Sequence, residues 1–228
     1  WKTEPALGIQ SRISDEKLQA QLSNEMVSTR LAIIDLEDAK AGYILNEDPK
    51  MSELLLVRNE NYPERYQLVI PEDEFASKML AMQAGNLNVK TLLTDYQAFN
   101  KGIPLLDQSG NVLDGSGRIN MLLMGAMDPE KQARLFGGWG PRIGDSWKNY
   151  QQLLTNEKML WQYGFTKDSL RGIKNPVLVH ILDEPLNEHY ILRAIRKANK
   201  PRYYDDTADN LIKIAQQDYK RIADMNLE

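Results

Sequence analysis

A hairpin that runs directly into a glycine turn and a helix is the feature that most limits how this chain can fold. Residues 103–106 and 112–114 are short apolar segments, and the polar residues 107–111 between them predict a tight turn. Residues 115–117, Gly-Ser-Gly, break the second strand, and residues 118–127 have the composition of a helix. This order of elements predicts a fold that combines a sheet with helices.

Other apolar segments extend this pattern. Residues 31–35 predict a strand that leads into a helical turn, and residues 176–181 predict the clearest buried strand of the chain. Residues 54–57 fit either a strand or a buried helical segment, since periodicity does not separate the two. Further helices are predicted over residues 72–84, from Trp147 to about Gly164, and over 185–199.

Two segments carry weaker signals. Residues 1–24 are predicted to form a polar arm or a short helix, in which Leu18, Leu22 and Met26 share one apolar stripe. Residues 136–142 are rich in glycine, so a loop is predicted there.

We therefore predict an α/β (α+β) domain with a small mixed sheet flanked by helices and followed by a long C-terminal helix. The predicted division is an N-terminal arm (residues 1–25), the domain itself (26–204) and an amphipathic helix (205–228). Because the chain begins with Trp1 and not with Met, we expect it to be a piece of a longer protein.

Composition excludes several kinds of site. The chain has no cysteine, which excludes disulfides, thiolate metal ligands and thiol nucleophiles. Its net charge of −4 argues against a protein that coats nucleic acid broadly. His180 and His189 are nine residues apart without a cluster of carboxylates, so we expect no zinc site. No apolar run approaches the length of a membrane span.

The glycine turn has a direct chemical use. Gly115 and Gly117 allow positive φ and let backbone N–H groups approach a ligand, while the following helix directs its positive end at the same place. Arg118 can fork onto two phosphate oxygens. Gly115, Ser116, Gly117 and Arg118 are therefore candidates for binding nucleotide phosphates. The alternative is that the turn only connects a strand to a helix.

The same residues carry a resemblance to a known family. The hairpin and the Gly-Ser-Gly-Arg box at residues 115–118 resemble the core of the ParB/sulfiredoxin superfamily, and most closely the DdrB-ParB-like domain of phage and mobile-element proteins. The usual box of that branch is Gly-Asn-Gly-Arg, so Ser116 is the difference. Residues 62–65, 72–88 and 175–199 are similar to the segments that flank the hairpin in this branch.

The resemblance implies a nucleotide-binding domain of a phage or mobile-element protein associated with DNA handling. Its ligand would be ATP or CTP with magnesium, and its partners would include DNA and other proteins of the same element. The location implied is the cytoplasm of a bacterial host or a virion. The sequence does not decide whether the domain hydrolyses a nucleotide, because no set of catalytic residues can be identified in it. A nuclease or a phosphotransferase is not supported either, since no catalytic base, nucleophile or metal-binding set is recognisable.

One departure favours a rival function. The family often has a basic stretch before its first helix, but residues 66–73 here read Tyr-Gln-Leu-Val-Ile-Pro-Glu-Asp, with Arg65 as the nearby arginine. The rival is a non-catalytic structural or virion-associated module that keeps the fold without the ligand. The sulfiredoxin member of the superfamily relies on a cysteine, so its chemistry is excluded here.

Three further sets of residues are candidates. Asp114 could help to hold a magnesium ion, although capping the following turn is the commoner role, and Asp95 and Asp107 could join it if the fold brings them together. Trp139, between Arg134 and Arg142, could stack on a base or seal the core. The candidate DNA contacts share one helix face, whose alternative role is a solvated surface: Arg193, Arg196, Lys197 and Lys200.

Overall fold

The structure is a computed structural model that describes residues 11–14, 17–22, 25–46, 56–63, 74–94, 102–187 and 190–191. By internal contacts the chain divides into two compact units, Trp1–Ala198 and Asn199–Glu228. The second unit, which includes the predicted C-terminal helix, lies outside the described residues, as does most of the predicted helix 185–199.

The described part of the chain contains strands, helices and short 3-10 turns. The strands are β1 (Ser11–Ile13), β2 (Leu18–Leu22), β3 (Glu25–Asp35), β4 (Tyr43–Leu45), β5 (Leu56–Arg58), β6 (Leu105–Leu106), β7 (Val112–Asp114) and β8 (Pro176–Leu182). The helices are α1 (Glu74–Gly85), α2 (Val89–Leu92), α3 (Ser116–Ala126), α4 (Pro129–Phe136), α5 (Gly140–Leu154) and α6 (Glu157–Gln162). The 3-10 turns are Leu36–Asp38, Gly137–Trp139 and Lys167–Leu170.

Six of these strands form one mixed sheet. Its order is β1-β3-β8-β6-β7, and β2 also pairs with β3. The β6–β8 pair is parallel, whereas the other pairs are antiparallel. β4 and β5 form a separate antiparallel pair. The predicted α/β (α+β) class with a mixed sheet and helices is confirmed.

The local predictions around the hairpin are confirmed as well. β6 and β7 pair antiparallel across the turn, with a bulge beside Leu105. The predicted strand 31–35 is the end of β3, and α1 ends at Gly85 as its glycine stop signal indicates. The ambiguous segment 54–57 resolves as strand β5 from Leu56 onward, because it pairs with β4.

β8 is the central strand of the core. All seven of its residues are buried, which agrees with its continuous apolar sequence. It pairs with β3 over seven residues but with β6 over only two. Tyr150 of α5 completes the pairing, since its hydroxyl accepts a hydrogen bond of 3.0 Å from the Leu178 N–H.

The helical alternative for residues 18–26 is wrong. Leu18–Leu22 is strand β2, which pairs with β3 along its whole length. Leu18, Ala20 and Leu22 alternate with glutamines, and a period of two is the pattern of a half-buried strand. Met26, assigned to the same stripe, is 59% exposed.

The loop prediction for residues 136–142 is also wrong. Gly137–Trp139 is a 3-10 turn, and α5 begins directly after it with Pro141 in its first turn, where proline is well tolerated. Gly140 lets α5 pass close to α4, because a Cβ there would lie 2.8 Å from the Gln132 carbonyl oxygen. The predicted helix 147–164 is interrupted after Leu154, and Asn156 caps α6 by accepting from the Lys158 N–H.

Candidate functional site at the glycine loop

The glycine loop forms at the start of a helix, as predicted. Gly115 follows the last residue of β7 with φ 95° and ψ 23°, and α3 begins at Ser116. The carbonyl of Gly115 accepts the first i→i−4 bond of the helix, from Ile119 N–H at 3.0 Å. The N–H groups of Ser116, Gly117 and Arg118 precede that bond, and no side-chain oxygen of the cap residue covers them.

Arg118 lies beneath this loop. It is only 5% exposed, and its Nη1 donates to the carbonyl of Gly102 at 2.8 Å. Its Nη2 donates to Oδ2 of Asp114 at 2.7 Å. The guanidinium thus folds back under Gly115 and joins the beginning of the hairpin to its end.

Asp114 therefore forms an ion pair with Arg118 and does not cap the N-terminus of α3. Its side chain is 30% exposed, so one side of the ion pair faces solvent. Asp107 is not part of this cluster, because its carboxylate accepts from the Ser109 and Asn111 N–H groups in the turn at the other end of the hairpin. Asp95 lies outside the described residues.

β4 and α1 border the loop on its outer side. Gly117 is close to Tyr43 of β4, whose hydroxyl would lie 3.8 Å from a Cβ at Gly117, and to Leu80 of α1 at 3.9 Å. Asn120 ties β4 to the first turn of α3, since its Nδ2 donates to the carbonyls of Tyr43 and Ser116, each at 2.9 Å. Gly115 and Gly117 are themselves half-buried, whereas Ser116 and Arg118 are buried.

His180 adds a buried polar group on the sheet below the loop, and the sequence reasoning missed this role. It pairs in register with Leu105 of β6, which in turn pairs with Asp114 of β7. Its Nδ1 lies 3.0 Å from Thr29 Oγ1, while Nε2 has no hydrogen-bond partner among the described residues. Burial, and secondarily the charge of Arg118, lowers the pKa of His180 from 6.5 to about 4.

The signal for His180 was present but not decisive. A lone histidine inside the apolar run 176–181 indicates a buried polar group that needs a partner. The partner, Thr29, is 151 residues away in the chain, so the sequence does not identify it.

Trp139 packs on the protein and not in an open cleft. It is half-buried, and a Cβ at Gly85 would lie 2.8 Å from its Cε3 atom. The guanidinium of Arg142 lies over its ring, 5.2 Å from the centroid. This geometry is that of a residue that seals the core. Arg134 is exposed on α4.

The remaining candidates cannot be placed. Arg193, Arg196, Lys197, Lys200 and His189 lie outside the described residues. Within the described ranges no group of three or more histidine, aspartate or glutamate side chains is arranged to hold a metal ion. No helix in that part of the chain is long and apolar enough to cross a membrane.

Comparison with known proteins adds no relative. No family model, no curated protein and no solved structure matches this chain.

Proposed function

We propose that this domain binds a nucleotide through residues 115–118, with the phosphates against the first N–H groups of α3. The observation that carries the proposal is the uncapped start of that helix. Gly115 turns the chain at a positive φ and brings no side chain to the N–H groups of the first turn. The first N–H groups of a helix together with the positive end of its dipole favour a phosphate at such a place.

The resemblance to the DdrB-ParB-like branch supports the choice of ligand. It implies ATP or CTP with magnesium, in a phage or mobile-element protein associated with DNA handling. The match rests on the box at residues 115–118, on the hairpin before it and on the strand and helix that close the domain.

The charge of Arg118 is already balanced by Asp114. A phosphate group gains the full attraction of Arg118 only when Asp114 is itself neutralised. Magnesium fits this requirement, since it commonly binds through one or two carboxylates together with nucleotide phosphates. The partly exposed carboxylate of Asp114 is a suitable oxygen ligand for an ion that arrives with the nucleotide.

One observation favours the rival function of a structural or virion-associated module. Arg118 is buried, and its hydrogen bonds to Asp114 and Gly102 hold the loop to the hairpin without any ligand. A domain that had lost its nucleotide would keep this arrangement for stability alone. A binding experiment separates the two functions.

The experiment is isothermal titration with ATP, CTP and GTP, each with and without magnesium. We expect saturable heat with ATP or CTP in the presence of magnesium. Absence of heat for all three nucleotides at millimolar concentration would leave only the structural module. Arg118→Ala is expected to abolish binding, but its fold must be verified because it also breaks a buried ion pair.

A matched pair at Gly117 avoids that difficulty. A Cβ atom at this position would have ordinary contact distances to Tyr43 and Leu80, and Gly117→Asn and Gly117→Asp introduce side chains of nearly the same shape. An aspartate near the start of a helix stabilises the helix but repels a phosphate at the same N–H groups. We expect Gly117→Asp to bind at least about tenfold more weakly than Gly117→Asn, a difference of about 1.4 kcal/mol. Equal affinities would place the nucleotide elsewhere.

A further inference from the structure

Asp114 and Gly115 form a dipeptide with a chemical reactivity of its own. No other aspartate or asparagine of the chain precedes a glycine. The amide nitrogen of a glycine is not shielded by a Cβ atom, so it can attack the side-chain carboxyl group of the residue before it. The side chain of Asp114 is 30% exposed, so water reaches that carboxyl group. The dipeptide therefore has the groups that an intramolecular cyclisation needs.

This cyclisation gives a five-membered succinimide ring. The nitrogen of Gly115 forms a bond to Cγ of Asp114 and loses its proton, while one carboxyl oxygen leaves as water. Addition of water to one ring carbonyl restores the aspartate. Addition to the other gives an isoaspartate, in which the main chain runs through the side chain and is longer by one methylene group. The sequence of steps needs no oxidant, cofactor or reactant besides water.

The backbone of the folded protein holds the two reacting atoms apart. Asp114 is the last residue of β7 and pairs with Leu105 of β6. In an extended residue the next nitrogen lies well away from the side chain, so ring closure requires a rotation about the Cα–C bond of Asp114. That rotation would break the pairing with Leu105 and displace the start of α3 at Ser116. The reaction therefore requires the glycine loop to open.

Arg118 is a second restraint on the same dipeptide. Its Nη2 donates to Oδ2 of Asp114 at 2.7 Å. The same side chain packs against Gly115, where a Cβ atom would lie 2.7 Å from Nε. Arg118 is only 5% exposed and also donates to the carbonyl of Gly102, so it is held in place from below. Asp114 has to leave this ion pair before its carboxyl group can turn to the nitrogen of Gly115.

We propose that Asp114 is a site of isoaspartate formation, and that Arg118 controls the rate by keeping the loop closed. The residue remains an aspartate in the closed loop and reacts when the loop opens. An isoaspartate lengthens the main chain between β7 and α3 and moves the carboxylate away from Arg118, so the conversion disables the loop. The modification is independent of any ligand and therefore of the function proposed above.

The test is incubation of the folded protein at neutral pH in water enriched in heavy oxygen. Hydrolysis of each succinimide inserts one heavy oxygen, and mass spectrometry locates it in the peptide that contains residue 114. Arg118→Met removes the charge and keeps an unbranched side chain. We expect it to label Asp114 at least about tenfold faster than the natural chain, because local opening becomes more frequent when the ion pair is lost. Arg118→Lys, which keeps a cation, should accelerate labelling less.

Two other aspartates serve as controls within every sample. Asp145 and Asp168 each precede a serine, and their side chains are 71% and 85% exposed. Their labelling should be the same in the natural chain and in Arg118→Met. Faster labelling confined to Asp114 thus reports opening of the glycine loop and not unfolding of the whole domain.

Three outcomes overturn the proposal. The first is no label at Asp114 in any of the variants. The second is equal labelling of Asp114 in the natural chain and in a folded Arg118→Met variant. The third is equal labelling in the folded natural chain and in the same chain unfolded in urea, because the fold would then offer no protection.

A measurement on the natural chain alone covers the case in which Arg118→Met does not fold. Urea is added at concentrations below the unfolding transition that tryptophan fluorescence detects. Labelling of Asp114 should rise before that transition, since the loop opens locally at a lower cost than the whole domain. A rise that coincides with global unfolding contradicts control by the loop.

Discussion

Gly115 and Arg118 are packed so closely that a Cβ atom on Gly115 would lie 2.7 Å from Nε of Arg118 and 2.8 Å from its Nη2. Glycine is thus required at this position for two reasons. Its φ of 95° is unfavourable for other residues, and the side chain of Arg118 leaves no room for a Cβ atom. The loop and its arginine form one packed unit.

Gly115→Ala is expected to destabilise the domain by about 2–5 kcal/mol. About 1–2 kcal/mol comes from a non-glycine residue at positive φ, and about 1–3 kcal/mol from forcing Arg118 to move. Urea unfolding, followed by tryptophan fluorescence, measures the sum.

Gly172→Ala is the matched control for this substitution. Gly172 has a similar φ of 81°, but a Cβ on it would meet no atom within 4 Å, so only the cost of the backbone conformation applies. Equal losses of stability in Gly115→Ala and Gly172→Ala would show that the side chain of Arg118 moves aside without a cost in free energy.

The stability of the domain should depend on the ionisation of His180. Its pKa in the folded protein is lowered from 6.5 to about 4 by burial and by Arg118. The neutral ring is the form that fits the fold, so its stabilising effect is complete above pH 6.5 and is lost as the pH falls toward 4. The total change is about 3 kcal/mol, from about 1.4 kcal/mol per pKa unit. Urea unfolding at intervals between pH 7 and pH 4 measures it.

Two variants assign this pH dependence to the ring. His180→Leu should flatten the slope between pH 6.5 and 4, and His189→Gln should retain it. The carboxylate of Asp183, whose pKa is lowered from 3.8 chiefly by its bond to Lys17, loses its ion pairs at more acidic pH and so does not obscure this window. A slope that persists in His180→Leu would contradict the assignment.

Gly140→Ala should destabilise the junction of α4 and α5 by about 1–3 kcal/mol. The new Cβ would lie 2.8 Å from the carbonyl oxygen and 2.9 Å from the carbonyl carbon of Gln132, and these backbone atoms cannot rotate away. Gly138→Ala, two residues earlier, meets no atom within 4 Å and is expected to change stability by less than about 1 kcal/mol. Thermal unfolding of the two variants checks the difference, and a neutral Gly140→Ala would disprove the close contact.

Tyr150→Phe should destabilise the domain by about 1–3 kcal/mol, because it removes the acceptor of the buried Leu178 N–H. Faster amide exchange at Leu178 would locate the effect. Tyr163→Phe is the comparison: that hydroxyl donates to the Leu93 carbonyl, and an under-satisfied carbonyl is better tolerated than an orphaned N–H. A larger loss at Tyr163 than at Tyr150 would reverse this interpretation.

Local sequence patterns were sufficient for the elements whose signals are complete within a few residues. The hairpin, the glycine turn into α3, the stop of α1 at Gly85 and the buried strand β8 all follow from such signals. The errors at β2 and at residues 136–142 had a different origin. Sparse apolar spacing at Leu18 and Leu22 fits two periods, and glycines that indicate a loop here permit close helix packing instead.

The sequence by itself determined that a glycine loop opens a helix after a hairpin, since turn and helix signals act over short distances. Only the tertiary structure decided what Arg118 and His180 contact. The guanidinium of Arg118 turns inward and donates to Asp114 and to the carbonyl of Gly102. His180 contacts Thr29, which is 151 residues away in the chain. The contact between His180 and Thr29 exists because β8 pairs with β3, and strand order is set by packing of the whole sheet and not by any local pattern.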